Sequence, residues 1–242
     1  MTNKVLLNNV DHADLRVALR HGAEFGDSAN QMLVFPTEFE ELEREHPILF
    51  RKGADGAFQA VVLLGFDRDE NLSLAGDGWR TRSVPAVQRR GPFSIRVQER
   101  EVDGEPRPEP MVLVDLDDPR VGADGGLPVF LPHGGNAPLL EQVTGALRTI
   151  HAGQLLARPM FDAFAALDLI EPVRLEISLA DDERYLIPDR YTIGAERLAA
   201  LKGAELEALH KAGFLKAAFD VRSSLGNVGR LIELRNRRRA RG

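Results

Sequence analysis

The feature that most constrains this chain is a change of apolar spacing at Pro138. Before it, hydrophobic residues come in short alternating runs; after it, Leu139, Leu140, Val143, Leu147, Ile150 and Leu155 mark one helical face. Strands and helices project side chains with different periods, so the two halves need different elements. We read the chain as α+β, with a largely antiparallel N-terminal sheet covered by C-terminal helices. On this reading residues 1–136 are the mainly β part and 137–234 the mainly helical part, packed as one domain. Residues 235–242 are a basic tail.

Strands are expected at Leu15–Leu19 and Met32–Phe35, then a short helix at 38–45 opened by Pro36-Thr37. The Asp55-Gly56 pair between Ile48–Phe50 and Ala57–Phe66 predicts a hairpin, whose second run is apolar enough for a central strand. Asn71–Leu74 and the Gly76-Asp77-Gly78 turn lead to Trp79, the single tryptophan. Phe93–Gln98 and Met111–Leu116 read as strands on either side of a Pro-rich loop at 101–110, and 117–136 reads as a long loop. Past the helix that opens at Pro138, Pro159 is expected to begin a second one, carrying Phe161, Phe164, Leu167 and Leu169. Strands then follow at Val173–Ile177 and Arg184–Ile187, the latter ended by Pro188. Helices at Ala195–Leu201 and Glu205–Lys211 come next, with Gly213 as the stop.

With 43% hydrophobic and 28% charged residues, the chain has the composition of a folded protein rather than a disordered one. It has no cysteine, which excludes disulfides and thiolate chemistry. The N-terminal residues lack the apolar run of a signal peptide and no stretch reaches the length of a membrane span, so a cytoplasmic location without membrane insertion is expected. Net charge is −6, yet five arginines stand in the last eight residues. No basic groove or aromatic stacking motif accompanies them, so they are read as a solvated, frayed terminus and no nucleic-acid partner is expected.

Motifs with a chemical mechanism are mostly absent: no phosphate-cradling glycine loop, no nucleophile elbow, no His-Glu-x-x-His. Asp67, Asp69 and Asn71 imitate the start of a calcium loop, but Leu72 occupies the glycine position and Gly78 that of the bidentate glutamate, so a solvated turn is read there. His12-Ala13-Asp14 has the spacing of two ligands of a facial metal triad, and His133-Gly134-Gly135-Asn136 could offer backbone N–H groups to an anion. Each also has a plain reading, as a structural hydrogen-bonding histidine and as a linking turn. No catalytic residue, metal ligand or cofactor is assigned.

What stands out is Val84–Phe93, where Pro85 and Pro92 restrain the backbone around Arg89 and Arg90, with Trp79 upstream. Arginine can grip a carboxylate or phosphate through two parallel bonds, and Trp, Phe and Arg are favoured anchors at interfaces. Trp79, Arg89, Arg90 and Phe93 are therefore the expected binding residues. The competing reading is that the arginines pair with the protein's own acidic groups.

The pattern Val84-Pro85-Ala86-x-x-Arg89-Arg90-x-Pro92-Phe93 resembles the hallmark of SapC-like bacterial proteins, a family named from a surface-array (S-layer) locus. The resemblance extends in order along the chain, from His12, Phe35-Pro36-x-Glu38-Phe39, His46-Pro47-Ile48-Leu49-Phe50, Leu64-Gly65, Asn71-Leu72 and Trp79 to Leu139–Val143, Leu209–Leu215 and Ser224–Asn227. Gly91 and Ser73 stand where the family usually has aromatic residues. The resemblance carries over no catalytic residues. The Pro-restrained Arg/aromatic cluster without a catalytic set leads to the preferred reading of a non-enzymatic accessory factor of that family, linked to bacterial surface functions and binding a peptide or protein partner through residues 79–93. The alternatives are a metal-dependent oxygenase-like enzyme using His12 and Asp14, a hydrolase with a site in the 115–136 loop, and a structural surface-layer component.

Overall fold

The computed structural model describes residues 3–76, 78–102, 105–179 and 183–240. Asp77 of the expected turn, positions 103–104 of the expected loop and Arg241 of the tail lie outside the described residues. In chain order the strands are β1 (Lys4–Leu6), β2 (Arg16–Val17), β3 (Gln31–Val34), β4 (Ile48–Lys52), β5 (Phe58–Leu63), β6 (Leu74–Ala75), β7 (Gly78–Trp79), β8 (Phe93–Val102), β9 (Glu105–Asp115), β10 (Leu127–Pro128), β11 (Ile170–Ser178) and β12 (Arg184–Ile193). The α-helices are α1 (Phe39–Leu42), α2 (Ala86–Arg89), α3 (Pro138–Ala166), α4 (Ala195–Ala200), α5 (Ala204–Lys211), α6 (Phe214–Ser224) and α7 (Asn227–Arg239). The fold is α+β, every strand pairing is antiparallel, and helices fill the C-terminal region. Two compact units interleave in sequence. One comprises Met1–Arg20 with Ala86–His151, the other His21–Pro85 with Ala152–Gly242, and the boundary falls inside α3.

The first unit carries the sheet β1-β9-β8 and the small pair β10-β2. Alternation puts Phe93 and Val114 opposite each other on one face, where they pack with Val17, Val129, Phe130 and the α3 residues Leu139, Leu140, Val143 and Leu147. Outside positions 103–104 the expected Pro-rich loop at 101–110 is instead strand, since β8 runs to Val102 and β9 begins at Glu105 and contains Pro106, Pro108 and Pro110. The Leu7 N–H bonds the Val112 carbonyl at 2.9 Å, so even-numbered residues of β9 turn their backbone groups toward the β1 edge. All three prolines share that parity, and β1 pairs only with Leu113–Asp115. Their missing N–H groups face an edge with no partner strand among the described residues and leave the ladder to β8 intact.

The second unit is built on the sheet β11-β12-β4-β5-β3. The Asp55-Gly56 turn is present, with Gly56 at φ 79°, and it sets the β4–β5 register. The strand expected to stop at Pro188 runs on to Ile193. Arg190 pairs with Val173 and Ile187 with Leu175, so Pro188 and Asp189 oppose Arg174 alone. This is a β-bulge, which accommodates a proline and the left-handed φ of 55° at Asp189 without ending the strand.

Pro159 likewise does not begin a second helix but lies within α3. Buried Met160, Phe161 and Phe164 stay in helical phase with Gly153 upstream. Gly153 is held so closely that a Cβ there would lie 2.3 Å from the Phe35 Cβ. Phe161 meets Phe50 edge-on at 5.0 Å, and Phe164 meets Phe50 and Phe214. This packing on the C-terminal side offsets the roughly 3 kcal/mol that an interior proline costs a helix. Helices α6 and α7 were not among the helices read from the sequence. In α6, buried Phe214, Ala217, Ala218, Val221 and Ser224 recur at helical spacing.

Candidate functional site

Three segments of the second unit meet at Asp27, which is fully buried. One carboxylate oxygen accepts the Gly22 N–H at 2.8 Å and stands 3.4 Å from His21 Nδ1; the other accepts the Trp79 indole N–H at 2.7 Å. The Asp27 carbonyl accepts the Asn71 side-chain amide at 2.9 Å. Burial opposes ionisation of Asp27, but His21, Gly22 and Trp79 outweigh it and hold the carboxyl below its ordinary range.

Beyond Trp79 stands His46, edge-on with ring centroids 6.3 Å apart and itself fully buried. His46 Nε2 lies 2.8 Å from the Ser83 carbonyl, which can only accept, so Nε2 carries the proton. Its Nδ1 is buried without a hydrogen-bond partner among the described residues. Burial pushes the imidazole pKa down, against the pull of the Ser83 carbonyl, so the ring is neutral. Ser83 gives its N–H to Glu45 at 2.8 Å and its hydroxyl to the Glu41 carbonyl at 3.0 Å. The network fastens the segments around residues 22–27, 46, 71 and 79–83.

The basic C-terminal run is also engaged rather than frayed. Helix α7 continues through Arg239, and Arg235 bonds Glu70, Asp67 at 2.7 Å and the Tyr185 hydroxyl at 3.0 Å. Glu70, nearly buried, accepts the Phe66 N–H at 3.0 Å with its other oxygen. The Asp67–Asn71 turn, set aside above as a calcium loop, therefore anchors a helix.

Of the expected binding residues, Trp79 belongs to the second unit and Arg89, Arg90 and Phe93 to the first. Phe93, expected to offer an apolar contact to a partner, is fully buried in the core of its unit, because the alternation that starts β8 points it inward. Arg90 donates to the Phe93 carbonyl at 2.5 Å. Burial, then the charge of Arg120, lower its pKa. Arg120 grips Asp118 through two bonds of 2.9 and 2.7 Å. Arg89 is exposed on α2.

The metal alternative lacks a third ligand, since among the described residues no group of three or more His, Asp or Glu gathers to hold an ion. His12 Nδ1 accepts the Asn8 N–H at 3.2 Å, and Asp14 is exposed. In the 133–136 loop, Gly134 and Gly135 take φ of 83° and 88°, a conformation that glycine adopts readily, and Asn136 donates to Glu141 at 2.7 Å.

That loop forms one wall of a cleft of about 490 Å³ in the first unit, most of which no sequence motif marked. The cleft opens where β1 ends and the β9 edge becomes free. Leu6, Leu7, Met111, Val112, Phe130 and Leu140 supply apolar surface; Asn8, Asn9, Asn136 and Thr144 supply uncharged polar groups. Pro110 and Gly135 complete the lining, so every residue around the cleft is uncharged. Such a surface can desolvate an apolar side chain and hydrogen-bond a peptide group, but it holds no acid or base for proton transfer.

Among the described residues no helix is long and apolar enough to cross a membrane. Comparison with curated proteins and with solved structures finds no match. A family model described as SapC matches residues 7–231, a span that takes in Asp27, His46, Trp79, Arg89, Arg90 and most of the cleft. On that match over nearly its whole length, the chain belongs to the SapC family.

Proposed function

We propose that this SapC-family chain is a non-enzymatic accessory factor, linked to bacterial surface functions, that binds a peptide segment of a partner protein. The observation that carries this reading is the uncharged cleft at the free edge of β9. Its volume is within the roughly 300–1,000 Å³ typical of ligand sites, and its mixture of aliphatic and amide groups suits a peptide with an apolar side chain. The charged and aromatic groups that could have suggested chemistry are engaged elsewhere: Asp27 with Trp79, His46 with Ser83, Arg90 with the Phe93 carbonyl. Arg89, exposed on α2, is kept as a secondary contact from the expected 79–93 surface.

The test uses an acetylated, amidated pentapeptide Ala-Leu-Phe-Leu-Ala and calorimetric titration. The full chain should bind it, and Thr144→Phe, which fills the cleft, should weaken binding at least about tenfold while Arg89→Ala changes it little. Equal binding by Thr144→Phe and the parent would remove the cleft from the reading; loss only on Arg89→Ala would return the site to residues 79–93.

A further inference from the structure

Beyond Ile95 and Val112 the paired strands β8 and β9 run on as a two-stranded arm, past the end of β1. Along the arm's open edge the even-numbered residues of β9 point outward, and at 106, 108 and 110 these are prolines. That edge offers carbonyl oxygens and no N–H. An added strand needs donors and acceptors in alternation, so strand addition is blocked, whereas a partner rich in N–H donors is not.

The cleft-side face of the arm is acidic toward its tip. Phe93, Ile95, Val97, Glu99 and Glu101 alternate onto one face, together with Val112 and Pro110, which stand opposite Ile95 and Val97 and line the cleft. The other face carries both signs, with Arg96, Glu105 and Glu109 on it. The cleft-side face therefore passes from buried apolar residues, through Val97 at 44% exposed, to two exposed glutamates with no basic residue among them. At the strand rise, Glu99 and Glu101 lie roughly 7 and 13 Å beyond Val97.

We propose that the arm and the cleft at its base together receive an extended basic segment of a partner protein: an apolar anchor enters the cleft, and lysine or arginine residues two to four positions along meet Glu99, Glu101 and the carbonyl edge. This rests on the cleft being a peptide site and names the chemistry of what it takes. Charge complementarity selects the occupant, because an acidic or neutral segment would leave both glutamates without an opposite charge.

Three labelled peptides test it by fluorescence anisotropy: acetyl-Gly-Phe-Leu-Gly-Arg-Lys-Arg-Gly-amide, the same peptide with three glutamates for the basic residues, and the same with Gly-Gly for Phe-Leu. The parent should bind the basic anchored peptide at least about tenfold tighter than the acidic one. The Glu99→Lys/Glu101→Lys variant should erase that preference, as should about 300 mM salt, which screens exposed charges. Equal binding of the basic and acidic peptides to the parent, or a preference that survives the double variant, overturns the proposal while leaving the cleft reading standing. If the anchor-free peptide binds as well as the anchored one, or if neither Thr144→Phe nor Leu6→Asn weakens the anchored peptide, the cleft reading itself fails and the proposal with it. Using both cleft variants, each checked by thermal melt, separates lost binding from lost folding. Concentration-dependent dimerisation in sedimentation that disappears on Glu99→Lys/Glu101→Lys would make a second copy the occupant and overturn the proposal.

Discussion

Asp27 in the second unit and the cleft beside β9 in the first are built on opposite terms. Asp27 is an ionised group with no exposure, its oxygens held by Gly22 and Trp79. The cleft is accessible and contains no ionisable group. A buried charge is costly unless its partners are in place, so surroundings like those of Asp27 are rigid and intolerant of change. An uncharged cleft needs no such partners, and a half-exposed lining residue such as Thr144 can be varied with little effect on folding. Groups that catch the eye as chemistry here are held in structural contacts, and the region we propose for a partner is chemically plain.

The comparison breaks first at Asp27. Asp27→Ala leaves the Gly22 and Trp79 N–H groups buried and unpaired, and should cost roughly 3 kcal/mol or more in urea unfolding. Asp27→Asn, which retains one acceptor, should cost less. If Asp27→Ala is as stable as the parent, the network is not the fastener described here.

A smaller contrast comes from steric room. A Cβ at Gly65 would sit 2.4 Å from the Glu70 carbonyl oxygen, so Gly65→Ala must displace backbone and should cost about 1–3 kcal/mol. Thr144→Phe, with the cleft before it, should stay within about 1 kcal/mol of the parent in the same assay. Equal losses would mean that the first unit is as tightly packed at the cleft as the second is at Gly65.

The smallest effect is with pH. The His46 pKa is lowered by burial from its ordinary 6.5, so on acidification the unfolded chain takes up this proton first. The His46 contribution is complete above pH 6.5 and is lost as pH falls from there toward the lowered folded value. Asp27, also lowered, adds a second loss as pH falls below 3.8. Denaturation midpoints measured across this range should fall in that order, and His46→Gln should flatten the upper phase alone.

The strand-to-helix change at Pro138, the Asp55-Gly56 hairpin and the Gly213 stop were legible because period and turn chemistry are local properties. The errors gathered at prolines, whose effect depends on tertiary neighbours. Pro159 is carried by aromatic packing, Pro188 by a bulge, and Pro106, Pro108 and Pro110 by an edge that lacks a partner strand. Asp27 was missed because it belongs to none of the motifs that carry the family resemblance; its importance comes from Trp79 and Asn71, both distant in sequence and both within those motifs. Phe93 was misplaced because an aromatic beside two arginines reads as an anchor until its strand parity is known. Apart from the His133–Asn136 loop, read for an anion, the cleft gave no signal, since Leu, Asn, Pro and Thr in separate segments have no pattern until the strands pair.

The most direct test of the central claim is amide chemical-shift mapping of the full chain titrated with acetyl-Ala-Leu-Phe-Leu-Ala-amide. Shifts should concentrate at Leu6–Asn9, Met111, Val112, Gly135, Asn136 and Thr144, with the Trp79 indole signal unmoved. Shifts centred on Trp79 and Arg89, with the cleft residues silent, would contradict it.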